Sequence, residues 1–288
     1  MLTTTGDLVA DAARDGHGVG AFNVIALEYA EALVAGAEQA GTPVVLQISQ
    51  NCVRYHGGLE PIALGTLAVA RRSVIPVGVH LDHADSEDLV AEAATLGLSS
   101  VMFDASRLPY EQNVARTAAV AARCHELGVW LEAELGEVGG KDGVHAPGAR
   151  TDPAQAAEYV TATGVDALAV AVGTSHAMLT RDAALDFPLI RELRGALGVP
   201  LVLHGSSGVA EEDLTGAVDA GMTKINVSTQ LNKAFTGAAR EVLERDRDLV
   251  DPRKYLAPAR EAVAAEAARL LAVLQAQPCL PPATFRDG

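Results

Sequence analysis

The stretch IPVGVHLDHADSEDLVAEAATLGLSSVMFD (75–104) holds one strand, one helix and the next strand of a repeating pattern. Its first apolar run ends in Asp82 and His83, an Ala-rich segment of helix length follows, and the second apolar run ends in Asp104. Near-continuous apolar strands that alternate with helices indicate parallel pairing, with both faces of the sheet covered. This stretch therefore predicts an α/β fold in which polar side chains follow the strands.

The same unit recurs along the whole chain. The apolar runs are GVGAFNV (18–24), PVVLQIS (43–49), IPVGVHLDH (75–83), SSVMFD (99–104), VWLEAEL (129–135), ALAVAVGTSH (167–176), PLVLH (200–204) and TKINVST (223–229). Helices are predicted at about 26–40, 60–72, 85–96, 110–127, 152–163, 183–197, 210–220 and 230–246. Eight such units predict a (β/α)8 TIM barrel, whose chemistry lies on the loops after the strands. No Ser/Pro linker divides the chain, so we expect one domain over 1–288 with a C-terminal helical extension at about 251–275, docked onto the barrel or onto another subunit.

Composition limits the partners and the kind of metal site. The 288 residues are 49% hydrophobic and carry a formal net charge of −15, so neither nucleic acid nor an anionic membrane is an expected partner. No run approaches the roughly 18 apolar residues of a membrane span, and no signal peptide is recognisable, which predicts a cytoplasmic protein. The scattered Cys52, Cys124 and Cys279 form no CxxC pair, so a metal would be held by histidine and carboxylate.

Three histidines, His83, His176 and His204, stand at strand ends. Three imidazoles around a point with a vacant fourth position are typical of catalytic zinc. The alternative is that each is an ordinary hydrogen-bonded histidine at the barrel rim. His80 lies on the opposite pleat from His83 and is expected to pack or to support the site.

Acidic residues accompany these histidines. Asp82 adjoins His83, and strand alternation would send the two side chains apart, so both can serve one site only if the strand ends or twists there. Glu132 and Glu134 share one face of their run, and buried acids are costly unless paired or metal-bound. With Asp104 they suggest a second or alternative cation position.

Polar turns and loops follow the later strands. Barrels commonly bind phosphate at the loops after strands seven and eight, through backbone N–H groups and hydroxyls. The candidates here are Gly205, Ser207, Gly208, Asn226, Ser228 and Thr229. The segment GEVGGKDGVHAPGARTDP (136–153) follows the fifth strand, which favours an active-site loop over a floppy surface loop. No lysine at a strand end is a good Schiff-base candidate, because Lys224 begins a strand and Lys141 lies in that segment.

Ordered motifs over nearly the whole chain support a resemblance to a known family. They are GVGAFNV, HLDHAD, VMFDAS, LEAELGEVGG, TDP, LAVAVGTSH, LHGSSG, KINVST and DPRKYLAPAREA. With these motifs the chain resembles the class II, metal-dependent ketose-bisphosphate aldolases of the fructose- and tagatose-bisphosphate type. The resemblance implies a lyase of carbohydrate metabolism and glycolysis that works through a zinc-stabilised enediolate of dihydroxyacetone phosphate.

The resemblance also implies roles for individual residues. The zinc ligands would be His83, His176 and His204, and an alternative metal position would involve Glu134 and Asp104. Asp82 would exchange a proton with the C4 hydroxyl, Asp142 would stand at the position of the second acid–base group, and Asn226 would steady the enediolate. The substrate-binding residues would be Asn23, Ser49, Gly205, Ser207, Ser228, Thr229 and, reaching from a partner subunit, Arg253.

The chain departs from the family pattern at two positions and in the loop from Gly140 to Thr151, which is a few residues shorter than the family's and leaves its reach and closure open. Asp142 replaces the usual glutamate and is one methylene shorter, and Ala177 replaces the glycine that usually follows the zinc histidine. Besides an aldolase, two hypotheses stay open: a metal-dependent sugar-phosphate isomerase or epimerase, and a catalytically weak barrel that binds a ligand or serves assembly. The sequence leaves open the ketose and its C4 stereochemistry, a homodimer against a homotetramer, and whether Na⁺ or K⁺ assists near the phosphate.

Overall fold

A computed structural model describes residues 1–135, 150–174 and 184–275. Eight parallel strands pair in chain order, and the last pairs with the first to close a barrel. The strands are β1 Val19–Asn23, β2 Val44–Ser49, β3 Val77–Ala84, β4 Ser100–Phe103, β5 Trp130–Glu134, β6 Ala167–Ala169, β7 Leu201–Leu203 and β8 Met222–Val227. The predicted (β/α)8 barrel is confirmed.

Helices surround this barrel. They are α1 Thr5–Asp15, α2 Leu27–Ala40, α3 Gln50–His56, α4 Glu60–Arg72, α5 Glu87–Leu96, α6 Tyr110–Glu126, α7 Pro153–Thr163, α8 Phe187–Ala196, α9 Glu211–Ala220, α10 Thr229–Arg245 and α11 Arg253–Gln275. Within the described ranges, none combines the length and apolar character needed to cross a bilayer.

Two helices were not predicted from the sequence. In α1, Leu8 and Val9 are buried in a cluster with Val19 and Val45, so the helix covers residues near the starts of the first two strands. The second, α3, begins directly after β2, where the side chain of Ser49 accepts a hydrogen bond from the backbone of the first turn. Short helices such as these contribute little to the hydrophobic periodicity of a sequence.

Strand β6 is shorter than its apolar run predicts. The run extends over 167–176, but ladder pairing stops at Ala169. The N–H of Ala171 donates to Oγ1 of Thr151 at 2.8 Å, and the Thr151 N–H donates to the Ala171 carbonyl at 2.9 Å. The backbone beyond β6 is therefore bonded to the residues that precede α7.

The C-terminal helix α11 packs on the barrel wall against α2 and α10. Gly36 in α2 permits the close approach, since a Cβ there would overlap the carbonyl oxygen of Ala264 and lie 2.9 Å from Cβ of Ala267. The Gly18 N–H also donates to the Leu274 carbonyl at 3.0 Å. The extension predicted at about 251–275 thus docks on its own chain.

Candidate active site

A pocket of about 600 Å³ opens at the carboxyl ends of the strands, where a barrel of this kind places its chemistry. Its lining includes many of the predicted site residues: Asn23, Ser49, Asp82, His83, Asp104, Glu134, Gly205, Ser207, Asn226, Ser228 and Thr229. His204 lies beside His83, with 4.9 Å between the ring centroids. Asp142, His176 and Ala177 lie outside the described residues.

An irregularity at the end of β3 brings Asp82 and His83 to the same pocket. The pairing of β3 with β4 shifts between Leu81 and Ala84. His83 has φ = 53°, and it is the one non-glycine residue with positive φ in the described part of the chain. Such a backbone is costly for a bulky side chain, and strain of this kind concentrates at functional sites. In a regular strand the side chains of Asp82 and His83 would point to opposite faces. The bulge breaks this alternation, so that both residues can serve one site.

Carboxylates fix the orientation of His83 and His204, the two predicted zinc ligands that the structure describes. Nδ1 of His83 donates to Oδ2 of Asp104 at 2.9 Å, and Nε2 of His204 donates to Oε1 of Glu132 at 3.0 Å. Metal-binding histidines usually donate their second ring nitrogen to a carboxylate in this way, which directs Nε2 of His83 and Nδ1 of His204 toward an ion. The histidine orientations therefore fit a divalent metal.

Two overlapping groups have ligand atoms within 4.8 Å of one another: Asp82, His83 and His204, and His83, Asp104 and Glu134. Neutral imidazole with carboxylate suits zinc and similar first-row ions. The second group contains Asp104 and Glu134, the two residues that the resemblance implies for an alternative metal position. The described residues thus offer two adjoining positions that share His83.

The electrostatics of this cluster favour a cation. Burial, together with the Asp104 carboxylate, raises the pKa of Glu134 to about 8. Burial opposes protonation of His83, but Asp82 and the hydrogen bond to Asp104 outweigh it and raise its pKa to about 10. Despite its own burial, Asp104 has a pKa well below the usual range because His83 and Ser106 donate to it. Positive charge is therefore stabilised at this point, as a metal site requires.

Asp82 is a buried carboxylate that lines the pocket. Its side chain is only 3% exposed, and its Oδ2 accepts a long hydrogen bond of 3.4 Å from Nε2 of Gln47. Its buried Oδ1 has no hydrogen-bond partner among the described residues, although Asp82 lines the pocket. Gln47 also donates to Oδ1 of Asn23 at 2.8 Å. Gln47 was missed as a site residue, although its polar side chain inside the apolar run VVLQIS is a detectable signal.

Glu132 and Lys224 form a buried ion pair inside the barrel. The distance from Nζ of Lys224 to Oε2 of Glu132 is 2.8 Å, and both side chains are fully buried. Lys224 is the third residue of β8, inside the strand rather than at its start. The sequence suggested that Glu132 contributes to a cation position, but neither group of possible metal ligands among the described residues contains it. Its carboxylate is instead paired with Lys224 and His204.

The turns after β7 and β8 form the opposite side of the pocket. Gly205 has φ = 69°, a conformation that favours glycine, and a short 3-10 turn over Ser206–Gly208 follows it. Oγ of Ser207 accepts from the Gln230 N–H at 3.2 Å, which joins this turn to the start of α10. Thr229, the first residue of α10, also lines the pocket. A helix N-terminus beside hydroxyl groups is suited to a phosphate.

Arg253 does not line the pocket of its own chain. Its side chain is 88% exposed and pairs with Asp251 at 2.9 Å, and it is absent from the lining of the pocket. A role in binding substrate would require that it reach the pocket of another subunit.

Comparisons with known proteins agree with this architecture. Residues 3–278 match the family described as "Fructose-bisphosphate aldolase class-II". The chain is 41% identical over 266 residues to "Fructose-bisphosphate aldolase" of Staphylococcus aureus, covering 91% of this chain and 93% of that protein. It is 39% identical over 268 residues to the protein of the same name from Geobacillus stearothermophilus, covering 92% and 93%.

Solved structures show the same likeness. The YdjI aldolase of Escherichia coli K12 superposes with a TM-score of 0.83 at 31% identity, covering 95% of this chain and 97% of that one. A putative fructose-1,6-bisphosphate aldolase from Coccidioides immitis gives a TM-score of 0.81 at 26% identity, covering 94% and 95%. The family predicted from the motifs is confirmed: the chain belongs to the class II fructose-bisphosphate aldolase family.

Proposed function

We propose that this chain is a zinc-dependent aldolase that cleaves fructose 1,6-bisphosphate, or a close ketose phosphate, into dihydroxyacetone phosphate and an aldehyde, and that also catalyses the reverse reaction. The observation that carries the proposal is the bulge in β3, which places Asp82 and His83 in one pocket with Asn226. The relatives are named for fructose bisphosphate, and the phosphate-suited turns after β7 and β8 support a phosphorylated substrate.

The described residues divide the proton and charge movements between them. Asp82, through Oδ1, would take the proton of the C4 hydroxyl as the C3–C4 bond breaks and the aldehyde carbonyl forms. The bonding electrons pass to C3 and spread over the C2 oxygen as an enediolate, to which the amide of Asn226 would donate a hydrogen bond. A second acid must then protonate C3 to give dihydroxyacetone phosphate. We propose Asp142 for this step because it stands at the family's acid–base position.

His83, His204 and His176 would hold the zinc ion. A divalent ion bound there supplies the Lewis acidity that draws electron density from the substrate ketone. The half-buried Asp104 and the fully buried Glu132 each hold one of these rings in place through a hydrogen bond. Glu134 and Asp104 would serve the alternative position.

Product analysis tests this function. The zinc-loaded protein is incubated with fructose 1,6-bisphosphate, and products are followed by NMR before and after treatment with a chelator. We expect two three-carbon products, loss of activity on zinc removal, and recovery when zinc is restored. A six-carbon product would identify an isomerase or epimerase, absence of turnover with any ketose phosphate would indicate a binding or assembly subunit, and activity untouched by complete zinc removal would refute the role of the metal.

The assembly is also a proposal. Arg253 is exposed and does not line the pocket of its own chain. We propose a homodimer or homotetramer in which Arg253 of one subunit binds the second phosphate of the substrate held by another subunit. Arg253→Ala should raise KM for the bisphosphate and leave exchange of dihydroxyacetone phosphate protons unchanged. A monomer by light scattering at assay concentration would contradict the assembly. The cytoplasmic location stays a prediction of the sequence.

A further inference from the structure

We propose that Lys224 is a positioning residue that orients two parts of the reaction centre at once, Asn226 directly and His204 through Glu132. The proposal rests on the function proposed above, because it assigns a role in forming the enediolate. A continuous buried chain carries it. Nε2 of His204 lies 3.0 Å from Oε1 of Glu132, Oε2 of Glu132 lies 2.8 Å from Nζ of Lys224, and Nζ donates to Oδ1 of Asn226 at 2.8 Å.

The first consequence concerns the amide of Asn226. A lysine ammonium has only donors, so it fixes the carbonyl end of the amide toward itself. The NH₂ end is then directed away from Lys224, and Asn226 lines the pocket. A developing enediolate needs a donor at this point, whereas a carbonyl oxygen would repel it. Without Lys224 the amide is free to rotate and loses its defined donor.

The second consequence concerns His204. Oε1 of Glu132 accepts a hydrogen bond from Nε2–H of His204, and this orientation turns Nδ1 toward the proposed metal position. A fully buried carboxylate is costly unless a cation neutralises it, and Lys224 is that cation. Lys224 therefore compensates the buried Glu132 carboxylate, whose other oxygen holds the ring of His204. The same ion pair occupies the lysine nitrogen, which argues against its use as a Schiff-base nucleophile.

Proton exchange at C3 of dihydroxyacetone phosphate in D₂O is the appropriate assay, because it reports enediolate formation without the aldehyde. We expect Lys224→Met to lower the exchange rate by about 10- to 100-fold while the dissociation constant of dihydroxyacetone phosphate changes much less. At a zinc concentration that saturates every variant, the route through His204 does not limit the rate. Under that condition, in an Asn226→Ala background, the same substitution should change the rate by less than about threefold, because both changes remove one interaction. Lys254→Met, the same substitution at an exposed lysine, should leave the rate unchanged. If the fold-decreases in exchange rate caused by Lys224→Met and by Asn226→Ala multiply in the double variant, the assignment to Asn226 is overturned.

Zinc affinity provides a readout independent of turnover. By competition with a chelator, Glu132→Gln and Lys224→Met should each weaken zinc binding by about 10- to 100-fold, whereas Asn226→Ala should not. Wild-type zinc affinity in Lys224→Met would overturn the link to His204. A borohydride-trapped adduct of Lys224 with dihydroxyacetone phosphate would overturn the positioning role as a whole.

A folding defect does not remove the test. If Lys224→Met fails to fold, the double variant Lys224→Met with Glu132→Gln removes both charges at similar volume, a replacement that buried pairs often tolerate. It should lose both proton exchange and zinc affinity, and retention of either would contradict the proposal. A wild-type protein that neither cleaves ketose phosphates nor exchanges these protons would refute the proposed function instead.

Discussion

Replacing Asp82 with asparagine tests the assignment of the proton-transfer group. The substitution keeps the shape of the side chain and removes its ability to take a proton. The group is buried, and its Oδ1 has no hydrogen-bond partner among the described residues, so the substitution removes the proposed base itself. Loss of a positioned general base costs about 10²- to 10⁴-fold in rate, which corresponds to about 3–5 kcal/mol in activation free energy.

The fold should tolerate this change. The described hydrogen bond to Asp82 is the 3.4 Å contact from Gln47, and an asparagine carbonyl can accept the same bond. The free energy of unfolding should therefore change by less than about 1 kcal/mol. Zinc content should stay at the wild-type level, because the proposed function assigns zinc to the histidines and leaves Asp82 outside its coordination sphere.

The assay is the steady-state kcat for cleavage of fructose 1,6-bisphosphate, with zinc measured on the same sample. Asp85→Asn is a matched control, since its side chain is 59% exposed and pairs with Arg54 at 3.2 Å at the mouth of the pocket. Exposed pairs contribute at most about 1 kcal/mol, so this variant should retain nearly full kcat. A kcat of Asp82→Asn within threefold of the wild type would refute the assignment of Asp82 as the base.

Two further predictions concern packing and buried thiols. Gly36→Ala should lower the free energy of unfolding by about 1–3 kcal/mol, because its Cβ would overlap the backbone of α11. Gly195→Ala in α8, where a Cβ meets nothing within 4 Å, should instead raise it by up to about 1 kcal/mol; equal shifts in urea unfolding would contradict the packing account. Burial raises the pKa of both Cys52 and Cys124 to about 11. At pH 9 only about 1% of each thiol is therefore ionised. A solvent-exposed thiol with the ordinary pKa of 9.0 would be about half ionised at that pH. Alkylation of both cysteines, mapped by peptide mass spectrometry, should be slow in the native state and fast in urea. The contribution of these thiols to the free energy of unfolding should fall only as the pH rises from about 9 to 11. Rapid labelling of the native protein at pH 8 would contradict this.

The barrel was predictable because its signal repeats. Every run of apolar residues was followed by a segment of helix length, and this period survives errors at individual boundaries. The helices α1 and α3 were missed because neither belongs to the repeat. Where β6 ends early, the Ala171 N–H donates a hydrogen bond to Oγ1 of Thr151, which is 20 residues from Ala171 in the chain. Contacts of this range cannot be read from local periodicity.

The site was predictable to the level of residue types at strand ends, but not to the level of their pairing. Strand alternation placed Asp82 and His83 on opposite faces, and only the bulge in β3 resolves this conflict. The link between Glu132 and Lys224 joins β5 to β8 across the barrel interior. Its members looked unrelated in the sequence, because Glu132 resembled a metal ligand and Lys224 a residue at the start of a strand.

Anomalous diffraction at the zinc absorption edge, from crystals grown with zinc, tests the central claim most directly. The account predicts one strong peak within about 2.0–2.3 Å of Nε2 of His83 and Nδ1 of His204, with Asp82 outside the coordination sphere and able to act as a base. A peak held by His83, Asp104 and Glu134 without His204 would move the principal metal position. Zinc bound away from all of these side chains would contradict the account of the site.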